Sequence, residues 1–535
     1  MNRKLFVFFV LVVGLPAQAR ELHFPYQEAG LSQPEAAAHL LNRLAYGPTP
    51  GQVDAVCKQG LESWVQQQFK ANQPSPALDR LLAQSPDRSD DNSLRQRKLL
   101  RAVYSRNQVQ EVMTDFWFNH FNVSTTEGQA RPFVASYEND AIRPNALGPF
   151  RKLLEATSHH PAMLYYLGNT FSNKDTVKTT KAVTSTSDPL HVGIVRVGQD
   201  SSAAKMTSET KSGLNENYAR ELMELHTLGV DGGYRQEDVT QVARVFTGWT
   251  VEREGDAKQK DRPGHFSFNA SKHDPEAKRV LFTTIEPGGE SEGEKVLDLL
   301  ATHNSTARFL SRKLAVRFVS DQPSKALIAS LTRTFLRSQG DTREMLATIL
   351  ESPEFWSREN LQSKIKTPVE LEASAIRILG ARLASGSQLP GLLNRMGQPA
   401  YSCPPPTGFP DRADYWISPG NLMQRMSFAV DLASSKVAGV SVDLSKLQPA
   451  VTSKRVEASL PAYAALLLPG RDISKTERML KDSALDPDYG EKLSRAAKAK
   501  EKLPAPVPQA AVELTSKSLA NLVGLLLGCP EFQRR

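Results

Sequence analysis

Two glutamates, an arginine and an asparagine share one face of a helix in NENYARELMELHTLGV, the stretch running from residue 215 to residue 230. Asn217, Arg220, Glu221 and Glu224 follow the i, i+3, i+4, i+7 spacing that stacks side chains above one another. Two carboxylates three residues apart can share a proton or a metal ion. Alternatively, one with a raised pKa can act as general acid while its neighbour stays ionised. The candidate catalytic set is Glu221 and Glu224, with His120 from EVMTDFWFNHFNVS as general base or metal ligand. Asn217, Arg220, Trp117, Asn119, His273 and Asp274 are the candidate substrate contacts. A carboxylate-bridged dimetal site wants Glu-x-x-His on two helices, and Glu-x-x-Glu occurs here once, so the metal and any cofactor are unassigned. A hydrolase with one protonated glutamate needs fewer coincidences.

Each group also has a plainer role. Arg220 and Arg244 stand close in sequence to the two acids and are expected to pair with them. His120 fits equally as a core histidine, and His273-Asp274 as an Asx-type turn. Whether the chain is an enzyme is therefore open at this stage.

The elements that must hold these groups are easier to read. Asn215 is the expected N-cap, with Tyr218, Ala219, Leu222, Met223 and Leu225 on the buried side and Gly229 as C-cap. Asp231-Gly232-Gly233 turns the chain into a second helix that buries Val239, Val242, Ala243 and Phe246 and stops at Gly248. Arg235 is a poor cap for this helix, and Asp231 or Asp238 is expected to compensate. In the Trp-Asn-His helix Val112, Phe116 and Trp117 with Phe121 pack, while Glu111, Asp115, Asn119 and Asn122 line another face. Glu138 or Asp140 is expected to meet Arg143. Phe266 and Phe268 should form a small β-hairpin with Val280 to Thr283. From Glu294 to Leu379 the pattern is regular helix, and Arg308, Arg312, Lys313 and Arg317 read as a solvated basic stripe. Pro404 to Trp416 must be loop, and SPEFW near residue 355 is echoed by CPEFQ at the C-terminus.

The fold class implied is mainly α, a large multi-helix body with one small β-hairpin excursion and long loops. Residues 1–19 read as a signal peptide: basic Arg3 and Lys4, an apolar run from Leu5 to Leu15, and an Ala-Gln-Ala cleavage site. The core domain is assigned to 20–440, with an insertion loop at 172–211 read as a flap over the polar helix. Residues 441–535 form a linker and helices that pack back on the core. With 40% hydrophobic and 23% charged residues the composition is that of a globular protein. The run at Leu5 is too short to span a bilayer, so no transmembrane segment is expected after cleavage and the location is periplasmic or secreted. The formal charge of +8 suits an anionic cell envelope. No Lys/Arg stripe interleaved with aromatics marks nucleic-acid binding. Cys57, Cys403 and Cys529 sit in no metal or redox spacing and read as packing residues. No P-loop, Rossmann glycine pattern, serine elbow or HExxH is present.

Several ordered blocks carry a family resemblance. AAAHLLNRLAYGPTP, VMTDFWFNHFNVS, NENYARELMELHTLGV with GGY and EDVTQVARVFTGW, KTPVELEASAIRILG and PPPTGFPDRADYW resemble the domain-of-unknown-function 1800 family. The resemblance implies a secreted, mostly helical protein without an agreed activity, whose partner is a secreted phosphatase-like or sulfatase-like protein. Two departures stand out. Leu167-Gly168-Asn169 lacks the acidic or amide residue usual at its centre, and Arg235 replaces a capping Thr or Ser.

Overall fold

Local capping signals set most helix starts. Ser32 accepts from the Glu35 amide while Glu35 reaches back to the Ser32 amide, and Pro34 sits in the first turn of the Gln33–Leu44 helix. Ala36, Ala37, Leu40, Leu41 and Leu44 of that helix are all fully buried. This computed structural model describes residues 21–85, 90–174, 213–252, 264–384, 386–447, 453–499, 501–502, 504–509 and 511–535. The leader at 1–19 and all but the first residues of the 172–211 flap lie outside them.

The described chain is mainly helical. Gln108 joins two of its central helices, Asp91–Tyr104 and Gln108–His120. Its side-chain amide donates to the Ala102 and Ser105 carbonyls and accepts from the Tyr46 amide, so the turn between the helices is pinned without water. The Asn304–Phe318 helix packs against Lys325–Ser338 and against the segment Glu224–Leu228. Toward the C-terminus Pro419–Ala433 lies along Ser516–Gly528. The two Pro-Glu-Phe corners recur as short helices, Pro353–Trp356 and Pro530–Gln533, each started by its proline.

The β excursion differs from the expected hairpin. Phe266–Phe268 pairs antiparallel with Trp249–Val251, not with Val280 to Thr283. Lys278–Val280 pairs with Thr283–Ile285 instead, and Arg382–Leu383 with Val440–Ser441. Among the described residues, three short two-stranded sheets therefore replace one. Alternation alone gives strand face but not partner, and Trp249 supplies the deciding contact by packing its ring edge-on to Phe266.

All three cysteines are free, Cys403 and Cys529 buried and Cys57 half-buried, as packing residues would be. No helix among the described residues is long and apolar enough to cross a membrane.

Candidate functional site

The glutamate helix starts as its sequence dictates. The Asn215 side chain accepts from the Asn217 and Tyr218 amides, and helix Glu216–Met223 follows. From Glu224 to Leu228 the winding widens to a π-helix before Gly229, a local form often found at functional sites. Gly229 adopts φ +81, and the Phe309 ring lies where a Cβ would project, so a side chain there is excluded twice over. Asp238 supplies the cap that Arg235 lacks: its carboxylate accepts from the Arg235 amide at 2.8 Å and from the Leu281 amide at 2.9 Å.

The expected arginine pairing of Glu221 and Glu224 does not form. Arg220 is bound to Glu216 and to Gln236. Arg244 is bound to Asp274 and Glu276. Glu221 is half-buried, and burial followed by the charge of Glu224 raises its pKa, with Arg220 opposing only in part. Glu224 instead accepts a 2.7 Å hydrogen bond from the Tyr234 hydroxyl. The two acids thus sit in different settings, one in no ion pair among the described residues and one held by a phenol. Tyr166 lies within electrostatic reach of Glu221 and interacts with Asn122, and its hydroxyl donates to the Pro404 carbonyl. These tyrosines were not picked out from sequence, because each comes from another element. Asn217 is exposed near the N-cap.

His120 is buried in a different setting. Its Nε2–H donates to the His226 carbonyl at 3.1 Å, which leaves Nδ1 to accept from the Lys313 ammonium at 3.1 Å. Burial, then Lys313, depresses its pKa well below the usual range; His226 is lowered to about 3 by burial and Lys313. Both rings are therefore neutral at physiological pH. Among the described residues, no hydrogen bond or ion pair connects His120 to Glu221 or Glu224. Trp117 is core, its indole N–H donating to the Ala146 carbonyl. Asn119 clasps the proline-rich loop, donating to the Phe409 carbonyl and accepting from the Phe409 amide, both at 2.7 Å.

The basic stripe is not a solvated face throughout. Arg317 is buried and bonded to Glu370 at 2.7 Å, and Lys313 faces His120. Arg317 borders a polar crevice of about 40 Å³ together with Lys98, Asp115, Asn119, Asn122 and Asp411. That volume holds a water or two, not a sugar ring. Beneath it Lys98 pairs with Asp115 at 2.7 Å and with Glu138 at 3.4 Å. Arg143 joins Glu138 to Glu111, in line with the expected neutralisation of Glu138.

The turn at residue 273 is internally occupied. His273 places its ring nitrogens 2.9 Å from the Thr247 carbonyl and 3.0 Å from Glu292, and Glu292 also binds the fully buried Lys278. Asp274 accepts from the Glu276 amide, an Asx turn, and from Arg244. Glu155, His159 and Glu294 bring potential ligand atoms within 4.8 Å of one another. Arg151 occupies this group, bonded to Glu155, Glu294 and Asp298, so a guanidinium already supplies the positive charge a metal would bring.

The family model for a protein of unknown function, DUF1800, matches residues 39–534. The chain belongs to this family. No curated protein and no solved structure gives a match.

Proposed function

We propose that this is an exported cell-envelope protein that hydrolyses an anionic envelope or extracellular substrate, with Glu221 as proton donor. The observation that carries the reading is the Glu221 carboxyl itself: half-buried, in no ion pair with an arginine among the described residues, and raised in pKa beside a second glutamate. A carboxyl whose surroundings favour its protonated form is suited to protonating a leaving group, and Glu224, three residues on, can activate water or support the developing charge. Asn217 is exposed on the same helix and Arg220 half-buried beside Glu216, and both would meet an anionic substrate. His120 enters the proposal as a positioning residue, its ring held between Lys313 and the His226 carbonyl of the segment that carries Glu224.

The test is release of reducing ends or phosphate from purified peptidoglycan and lipopolysaccharide by the mature protein. Activity that falls by about a hundredfold or more in Glu221→Gln supports the reading, the range expected for a lost general acid. Product formation equal in the wild type and this variant, or none from either polymer, overturns it.

A second reading is a non-catalytic partner of a secreted phosphatase-like or sulfatase-like protein. It is favoured by the commitment of His273 and Asp274 to internal contacts, which leaves fewer polar groups for chemistry. Export from the 1–19 leader and the division at residue 440 are parts of the same proposal.

A further inference from the structure

An open cleft of about 540 Å³ lies between the start of Asp91–Tyr104 and the short helix Leu389–Arg395. Its volume is within the range of small-molecule sites. Amides, hydroxyls and bare backbone make nearly all of its wall. Among the described residues Pro390 is its single apolar side chain and Arg395 its single charge. Amides and hydroxyls offer donors and acceptors together, which a polyhydroxylated ligand can satisfy and an alkyl chain or apolar peptide side chain cannot.

The floor of the cleft is fixed and its rim is free. On the floor, the Ser387 hydroxyl donates to Gln96 Oε1 at 2.7 Å and Gln96 Nε2 donates to the Ala384 carbonyl at 3.2 Å; both side chains are buried. These bonds hold the pair in place and leave the Ser387 oxygen able to accept and the second Gln96 amide proton able to donate. Gly439, at φ +77, lets the chain close behind them, since a Cβ there would come within 2.5 Å of the Ser387 Cα. On the rim, Asn92, Gln388 and Arg395 are exposed, and their side chains make no hydrogen bond or ion pair among the described residues. Glu372 is the acid within electrostatic reach of Arg395. It is fully buried, and burial favours its neutral form, so it supplies little countercharge to the guanidinium.

We infer that this cleft binds an acidic saccharide, its hydroxyls meeting Asn92, Gln96, Ser387 and Gln388 and its carboxylate meeting Arg395. None of these residues belongs to the Glu221 face, so the site is independent of any hydrolytic activity.

The experiment titrates the full mature chain with digalacturonate, its dimethyl ester and tetraglutamate by calorimetry. Digalacturonate should bind at one site per chain, with the ester weaker by about tenfold or more, the worth of one charge-assisted bond. Arg395→Gln should bring the acid down to the affinity of the ester and leave the ester unchanged. A Cβ at Gly391 meets nothing within 4 Å, so Gly391→Phe has room to enter the cleft and should abolish binding of both. Glu221→Gln should leave every affinity unchanged, and thermal melts matching the wild type establish that the variants fold. Absence of saturable heat, equal affinity for acid and ester, tetraglutamate binding as tightly as the sugar, or binding that survives Gly391→Phe overturns the inference. So does binding lost in Glu221→Gln and kept in Arg395→Gln, since the saccharide would then occupy the glutamate face.

Discussion

A carboxyl group withdrawn halfway from water resists ionisation, and for Glu221 the nearby charge of Glu224 outweighs what Arg220 returns. Its pKa in the folded protein therefore lies above its value in the unfolded chain. The stability associated with the neutral form is complete below the ordinary carboxylate range and is lost as pH rises through the raised value. Urea unfolding of Glu221→Gln should match the wild type in acid and exceed it at neutral pH. Glu372 makes the same argument in a harsher place. It is fully buried, neither oxygen has a hydrogen-bond partner among the described residues, and burial drives its pKa well upward. Replacing it with the similarly long, unbranched Met should raise stability at neutral pH by about 1–3 kcal/mol, the cost of an unsatisfied buried polar group. Chemical denaturation at neutral and acidic pH checks both the gain and its decline in acid.

At the scale of elements, the parts written into neighbouring residues were legible. The Asn215 cap, the Gly229 stop, the turn after it and the rescue of Arg235 by Asp238 all operate within a few residues, so spacing and residue type suffice. Asp238→Ala should cost about 1 kcal/mol in a thermal or urea melt, as lost caps do. The commitments made across the chain were not legible. Arg244 bypasses Glu224, twenty residues earlier, for Asp274, thirty residues later, and His120 meets Lys313 from a helix far along the sequence. Partner choice of this kind depends on how helices dock, which one helix's periodicity does not contain. The same limit paired Phe266 with the wrong strand while assigning its strand character correctly. The proline-rich loop illustrates both sides: its irregularity as far as Arg412 was evident, but the short helix Ala413–Trp416 that ends it, against the expected loop, and its clasp by Asn119 were not. Gly408 there has φ +69, and a Cβ would approach the Asn119 carbonyl oxygen to 2.3 Å. Gly408→Ala should lower the melting midpoint markedly, by an amount equivalent to about 2 kcal/mol or more.

Across the whole molecule, buried charge is concentrated in networks that tie distant segments together. Burial alone would raise Glu138 and Glu370, but Lys98 and Arg143 hold the first at about 2, and Arg317 with Arg535 holds the second at about 2. For depressed carboxylates the sign reverses: their stabilisation is present above the ordinary carboxylate range and is lost as pH falls toward the folded value. Each contributes on the order of 3 kcal/mol, so the fold should weaken steeply between about pH 4.5 and 2. Circular dichroism across that window should show Glu138→Gln already destabilised at neutral pH and less sensitive to acid. These networks also explain why composition says little about function here. Much of the charge that looked available for a ligand is spent in joining helices, and the Glu221–Glu224 face is an exception among the groups singled out from sequence.

The most direct measurement is the titration of the Glu221 carboxyl, followed by carbon NMR in protein labelled at glutamate and assigned through Glu221→Gln. A midpoint above the ordinary glutamate value, moving down when Glu224 is replaced by Gln, is the predicted result. A midpoint at or below the ordinary value, indifferent to Glu224, would contradict the assignment of Glu221 as proton donor.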